Sequence, residues 1–186
     1  FTLIEVMIVI AVLAILASLA LPSYRTIIEK RQVSSGAEQI SAFASSAQFE
    51  AVKRGQPVLV RYDRNDSGEW CFGMTTPDNA NCDCFAEITG DVDADEGVCT
   101  LDGGVANTLT SAQLSYPEVL NSIDQGDEGS FTFDPVRGLL TVPNYSVDFE
   151  LLSDNETYAL HVQVNGTGRV KMCSGQDKSV PGYDRC

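Results

Sequence analysis

The sequence predicts an α+β fold: a long N-terminal α-helix, apolar in its first half, packed on an antiparallel β-sheet and closed by a disulfide-bounded C-terminal loop. Three observations carry this expectation. Residues 1–21 read FTLIEVMIVIAVLAILASLAL, with Glu5 as the one ionisable side chain. Apolar residues at three- and four-residue steps then extend the helical pattern to Arg54. The remainder holds short runs of β-branched and aromatic residues between turn residues.

The chain has 186 residues, 12 Lys+Arg against 26 Asp+Glu, a net charge of −14, and 44% hydrophobic residues. Such a length suits one domain with an appendage, and such apolar content excludes a disordered acidic chain. The charge is uneven: residues 1–54 hold five basic and four acidic side chains (+1), leaving seven basic and 22 acidic beyond them (−15). A head of that charge repels phosphate, which disfavours broad nucleic-acid binding. A single His excludes most His-based zinc and triad chemistry.

The first segment, residues 1–22, is long enough to matter to a membrane. At 1.5 Å per residue its apolar run spans about 31 Å, the thickness of a hydrocarbon core. A secretory signal peptide would have a basic start and a small-residue cleavage site, whereas this run opens on Phe1. A buried helix seldom stays apolar on every face for so long. A transmembrane helix is therefore predicted, with Arg25, Lys30 and Arg31 following at the interface. Glu5 needs its own reason, since a carboxylate in hydrocarbon costs about 2.5–3.5 kcal/mol. Either the helix macrodipole and a short snorkel stabilise it in the first turns, or it meets a cation from a partner.

Residues 23–54 continue the helix in amphipathic form. Tyr24, Ile27, Ile28, Ala37, Ile40, Phe43, Ala44 and Ala47 mark one apolar pattern, with Glu29, Lys30, Arg31, Glu38 and Gln39 between them. Pro22 removes a backbone hydrogen bond and is expected to kink or locally open the rod. Gly36 weakens the pattern by about 1 kcal/mol without ending it. Gly55 followed by Pro57 marks the stop.

Residues 55–186 form the acidic head. Strands are expected over 57–62, 69–74, 130–134, 138–142, 147–152, 157–164 and 168–172. Residues 135–138 (PVRG) and 165–167 (NGT) suit hairpin turns. The stretch 75–129 is polar and acidic, and reads as surface loops with at most short elements.

The six cysteines are Cys71, Cys82, Cys84, Cys99, Cys173 and Cys186. An even count favours disulfides where the domain lies in an oxidising compartment. Cys173 and Cys186 stand apart near the C-terminus and are expected to pair. Cys82 and Cys84 are too close to bond each other, which leaves Cys71–Cys82 with Cys84–Cys99, or Cys71–Cys84 with Cys82–Cys99; the first is preferred. Zinc is disfavoured because close ligand pairs are missing.

Asp91, Asp93 and Asp95 alternate in a loop containing Gly97, with Asp102 twelfth counted from Asp91, which makes calcium a possible cofactor. The spacing departs from an EF-hand, where glycine is sixth and glutamate twelfth, and a solvated acidic loop is the competing reading. No catalytic residues are assigned: His161 lies in a strand-like run without a Cys or Ser motif near it, and no phosphate-binding glycine motif is present.

Phe1, Thr2, Leu3, Ile4 and Glu5, the apolar run behind them and Pro22 resemble the mature amino terminus of type IV pilins and pseudopilins. The resemblance implies that a prepilin peptidase cuts before Phe1, that the new Phe1 amine is methylated, and that Glu5 attracts the terminal amine of a neighbouring subunit during docking. An α-amine with a pKa of about 7.7–8.0 is largely charged at neutral pH, as that pairing needs. Assembled pili of the family typically melt the helix around the proline; here Ala14 replaces a glycine found in many members. The loop bounded by Cys173 and Cys186 is similar to the C-terminal disulfide loop of many pilins.

A structural subunit is the function implied. It sits in the inner membrane before assembly, is driven by an assembly ATPase and other pilus machinery, and becomes part of a homopolymer of identical subunits in an extracellular pilus, or in a periplasmic pseudopilus if it serves secretion. The alternative is a low-abundance minor pilin or pseudopilin that initiates assembly or binds a ligand. Residues 131–138 (FTFDPVRG) and 168–173 (GRVKMC) resemble H-type members, some of which bind DNA through a basic tail. Arg169, Lys171, Lys178 and Arg185 form only a small basic feature against the −15 head, so no DNA-binding residues are assigned.

Overall fold

A computed structural model describes residues 2–86, 97–101, 107–114, 120–142 and 144–186, the side chains of residues 18–23 excepted. One helix, α1, runs from Leu3 to Arg54. Eight strands follow: β1 (Val58–Arg64), β2 (Trp70–Thr75), β3 (Thr108–Thr110), β4 (Leu120–Ile123), β5 (Glu128–Phe133), β6 (Val147–Leu152), β7 (Ala159–Val164) and β8 (Val170–Ser174).

The second half of α1 buries one stripe. Val33, Ala37, Ile40, Ala44, Ala47 and Ala51 are buried, at the three- and four-residue steps that place them on one side of a helix. Gly36 is buried on the same side. These small residues let the helix axis lie close to the sheets. Tyr24, Ile27, Phe49 and Val52 face away and are exposed. Gly55 ends the helix in the left-handed conformation, φ 64°, its N–H bonded to the Val52 carbonyl.

The strands form two four-stranded antiparallel sheets, in the orders β3-β2-β1-β5 and β4-β6-β7-β8. α1 packs on both, against β1 and β5 of the first and β6, β7 and β8 of the second. The sheets meet through aromatic rings: Phe149 of β6 lies edge-on to Tyr62 at 5.4 Å and to Phe72 at 5.0 Å between centroids. Alternation along β6 and from Leu160 onward on β7 sends Val147, Phe149, Leu151, Leu160, Val162 and Val164 into the core. The same alternation leaves Asp148, Glu150, His161 and Gln163 on the other face.

The expected long helix on antiparallel β-structure is found, with the strands divided between two sheets rather than one; β3 and β4, in the stretch read as loops with at most short elements, add an edge strand to each. β3 is only three residues long, and β4 buries its two ends while exposing Asn121 and Ser122, so neither has a period-2 signal. Residues 138–142 are not a strand. Only Leu140 makes a bridge, to Phe133, while its N–H turns away to the Gly166 carbonyl of the β7–β8 turn.

Candidate functional site: the exposed helix and its seat on the head

The N-terminal part of α1 stands clear of the core. Its apolar side chains are exposed on all sides, from Leu3 at 75% to Leu16 at 58%. In the first turn the Thr2 N–H donates to the Glu5 carboxylate at 3.4 Å. Glu5 therefore reaches back to the amide preceding the helix, as the third residue of a capping box does. Phe1 lies outside the described residues, as does the Pro22 side chain; the backbone is helical throughout Leu3–Arg54. Among the described residues no helix is long and apolar enough to cross a membrane. The expected membrane segment 1–22 is thus not found as a span there; its side chains are described only up to residue 17.

The head seats the second half of the helix with side chains from several loops. At one end the Asn155 amide donates to Glu29 at 2.6 Å, and Lys30 stands over the Tyr158 ring at 5.3 Å. Gln32, buried, donates to Asp154 at 2.9 Å. Further along, the Tyr183 hydroxyl donates to Glu38 at 3.2 Å. Near the far end Gln48 Nε2 donates to two carbonyls, of Gly138 at 2.7 Å and Gly168 at 3.0 Å.

That double contact explains the glycines in both H-type-like segments. Asp134 Oδ1 accepts the N–H groups of Val136 and Arg137 and shapes the turn, and Gly138 leaves it at φ 65°. Gly168, at φ 73°, comes so close that a Cβ there would lie 1.9 Å from the Gly138 oxygen. Gln48 was not singled out by sequence reasoning, since one amide in a helix carries no signal of its own.

All six cysteines are paired, as Cys71–Cys84, Cys82–Cys99 and Cys173–Cys186. The C-terminal pairing agrees with expectation. The preferred pairing of the other four, Cys71–Cys82 with Cys84–Cys99, is overturned in favour of its alternative. The Asp83–Val98 bridge explains why: it lays residues 82–84 alongside the segment ending at Cys99, bringing Cys82 to Cys99 and leaving Cys84 for Cys71 on β2. The two cystines are fully buried and cover the face of β2 turned away from the core. Gly73 makes this possible, because a Cβ there would lie 2.4 Å from Cys99 Sγ. A glycine inside a strand pattern is the signal that could have found it.

The calcium candidates Asp91, Asp93, Asp95 and Asp102 lie outside the described residues. His161 sits on the outer face of the second sheet, its Nδ1 3.0 Å from Asp148, which also accepts from Gln163 at 2.9 Å. The Asp148 hydrogen bond raises the His161 pKa, against the opposing effect of burial. For Asp148, burial pushes upward, but the hydrogen bonds from His161 and Gln163 together hold the pKa below its ordinary value. Arg169 and Lys171 line a shallow depression with Asp124 and Asp148, and Lys178 pairs with Glu156 at 3.3 Å, so carboxylates stand among these bases.

Comparison with known proteins places this architecture. The profile of the Type II transport protein GspH family matches residues 36–168, well over half of the chain. The Type IV major alpha-pilin of Moraxella bovis is 32% identical over 112 residues, spanning 58% of this chain and 68% of that protein. A fimbrial protein of Pseudomonas aeruginosa is 37% identical over 75 residues, 40% of this chain and 47% of that protein. The crystal structure of the type IV minor pilin FimU of Pseudomonas aeruginosa shares the fold, with a TM-score of 0.51 at 14% identity over 81% of this chain and 98% of that one. With its long helix seated on antiparallel sheets and its disulfide-closed C-terminus, the chain belongs to the type IV pilin and pseudopilin family of non-enzymatic structural proteins.

Proposed function

We propose that this pilin-like chain is a structural subunit of a type IV pilus-like filament, held in the inner membrane by residues 1–22 before it polymerises through the same helix into a surface filament. The observation that carries the reading is the exposure of the apolar side chains of residues 3–17. Left in water, that surface costs about 25 cal/mol per Å², so lipid or other helices must cover it. Moving it from lipid into a bundle of like helices changes its hydrophobic energy little, and Ala11, Ala14 and Ala17 permit close packing there.

Glu5 has a second role in this reading. Among the described residues it takes the Thr2 amide, a neutral partner that brings no positive charge. In a filament core that charge calls for a cation, and the methylated Phe1 amine of a neighbouring subunit supplies one. Glu5→Ala is expected to leave the protein membrane-inserted but poorly polymerised; normal filaments built from Glu5→Ala alone overturn the role.

A second reading, a low-abundance minor pilin that initiates assembly, is favoured by the FTFDPVRG turn and its seat on Gln48, which lie within the GspH match. Mass spectrometry of sheared filaments separates the two. Dominance of this chain supports the principal subunit, and trace amounts support the minor one.

A further inference from the structure

The described head has two ends of unlike charge. One is marked by Gln48, which meets the loop after β5 and the β7–β8 turn. The other is marked by Gln32, which meets Asp154 in residues 153–158, the connection from β6 to β7. At 1.5 Å per residue the two glutamines stand about 24 Å apart along α1. β1 leaves the Gln48 end at Val58, opposite Phe133, and turns back over residues 65–69 at its far end, where Asp63 lies opposite Glu128. At the Gln48 end, residues 50–54, 134–138 and 165–171 hold five basic and two acidic side chains. Away from it, residues 61–69, 127–128, 153–158 and 175–178 hold three basic and eight acidic ones.

The basic end brings together two arginines that are far apart in sequence. Gly138 and Gly168 are packed so closely that their chain neighbours Arg137 and Arg169 leave adjoining turns. Both turns are braced, the first by Asp134 and the second by Asn165 Oδ1, which accepts the Arg169 N–H at 3.0 Å. Arg137, Arg169 and Lys171 are exposed and make no ion pair among the described residues. Asp124 and Asp148, which share a depression with Arg169 and Lys171, are engaged elsewhere: Asp124 accepts the Asp148 N–H, and Asp148 takes His161 and Gln163. Val136, at the tip of the first turn, is 80% exposed. At the acidic end Asp66 and Asp177 are exposed, again without an ion pair among the described residues.

Helices that bundle side by side in one direction give every head the same orientation. Two heads displaced along the bundle therefore face each other by unlike ends, a head-to-tail contact that extends without closing. Opposite charge on those ends favours the contact and fixes its register. We propose that the turns carrying Arg137 and Arg169, with Val136 at their tip, dock on the acidic end of the head of a second copy of this chain, against the turns carrying Asp66 and Asp177. This inference rests on the filament reading above.

Photo-crosslinking and charge reversal in assembled filaments test it. With the photoreactive residue p-benzoylphenylalanine at position 136 of the full chain, crosslinks are expected to residues 61–69, 153–158 or 175–178 of a second copy. Arg137→Glu/Arg169→Glu is expected to lower the amount of chain in sheared filaments at least about tenfold, with its membrane pool and melting temperature unchanged. Adding Asp66→Lys and Asp177→Lys to that variant is expected to restore about half of the filament yield or more. Crosslinks to the Gln48 end of another copy, or to a different protein, overturn the proposal, as does a combined variant that assembles no better than the arginine variant. Unchanged filament yield with weakened retention on duplex DNA assigns the arginines to a polyanion and overturns it as well. If the unmodified chain is absent from sheared filaments, the filament reading falls and this inference falls with it.

Discussion

The Gln48 side chain donates to the Gly138 carbonyl at 2.7 Å across 90 residues of sequence. Its second amide hydrogen goes to Gly168, so one helix residue joins the loop after β5 to the β7–β8 turn. These loops come from different sheets, and Gln48 is where helix, first sheet and second sheet meet.

Gln48→Glu is the sharpest test of that junction. It keeps the shape but turns a double donor into an acceptor facing two carbonyl oxygens. A loss of about 2–3 kcal/mol in chemical denaturation is expected. A change of a few tenths would mean that the loops are held by other contacts.

Gly73→Ala should damage the cystine layer rather than the strand. The added methyl would stand 2.4 Å from Cys99 Sγ, and neither β2 nor a cystine yields easily. Destabilisation of about 1–3 kcal/mol is expected, together with reactive thiols at Cys82 and Cys99 in thiol titration.

The C-terminal bridge stabilises by closing a short loop. Cys173 and Cys186 are 13 residues apart, so Cys186→Ser is expected to cost about 3 kcal/mol. The melting temperature of the variant measures it, and non-reducing peptide mapping of the unmodified chain should return Cys71 linked to Cys84.

The His161–Asp148 pair predicts a two-sided pH dependence. His161 has a raised pKa when folded, so its contribution is full below its unfolded value of about 6.5 and is lost as pH rises through the folded value. Asp148 has a lowered pKa when folded, so its contribution is present above about 3.9 and is lost as pH falls through the folded value. Between those limits the pair is fully stabilising. The melting temperature should therefore fall between pH 6 and pH 8.5, by less in His161→Gln than in the unmodified chain; equal slopes would remove His161 as the cause.

The helix was legible in the sequence because its signals are local. Ala37, Ile40, Ala44 and Ala47 repeat at helical spacing and are buried, although Tyr24 and Ile27, read in the same pattern, are exposed, and Gly55 stands where a left-handed residue is needed. β6 and β7 were legible for the same reason, through alternation over the six residues of β6 and over Leu160 to Val164 of β7. β3 and β4 were not, since three residues, or four with only the ends buried, carry no period. The pairing of Cys71 with Cys84 was not legible either, because it depends on the Asp83–Val98 bridge, a contact between distant segments. Gln48 and Gly73 matter through what lies opposite them, and nothing beside them in the chain records that.

The overlapping cystines have a consequence for how the head survives damage. Cys82 lies inside the loop closed by Cys71 and Cys84, and Cys84 lies inside the loop closed by Cys82 and Cys99. Any single peptide cut between Cys71 and Cys99 therefore leaves two fragments still joined by sulfur. A protease cut placed between Cys71 and Cys99 would therefore yield one band without reductant and two with it.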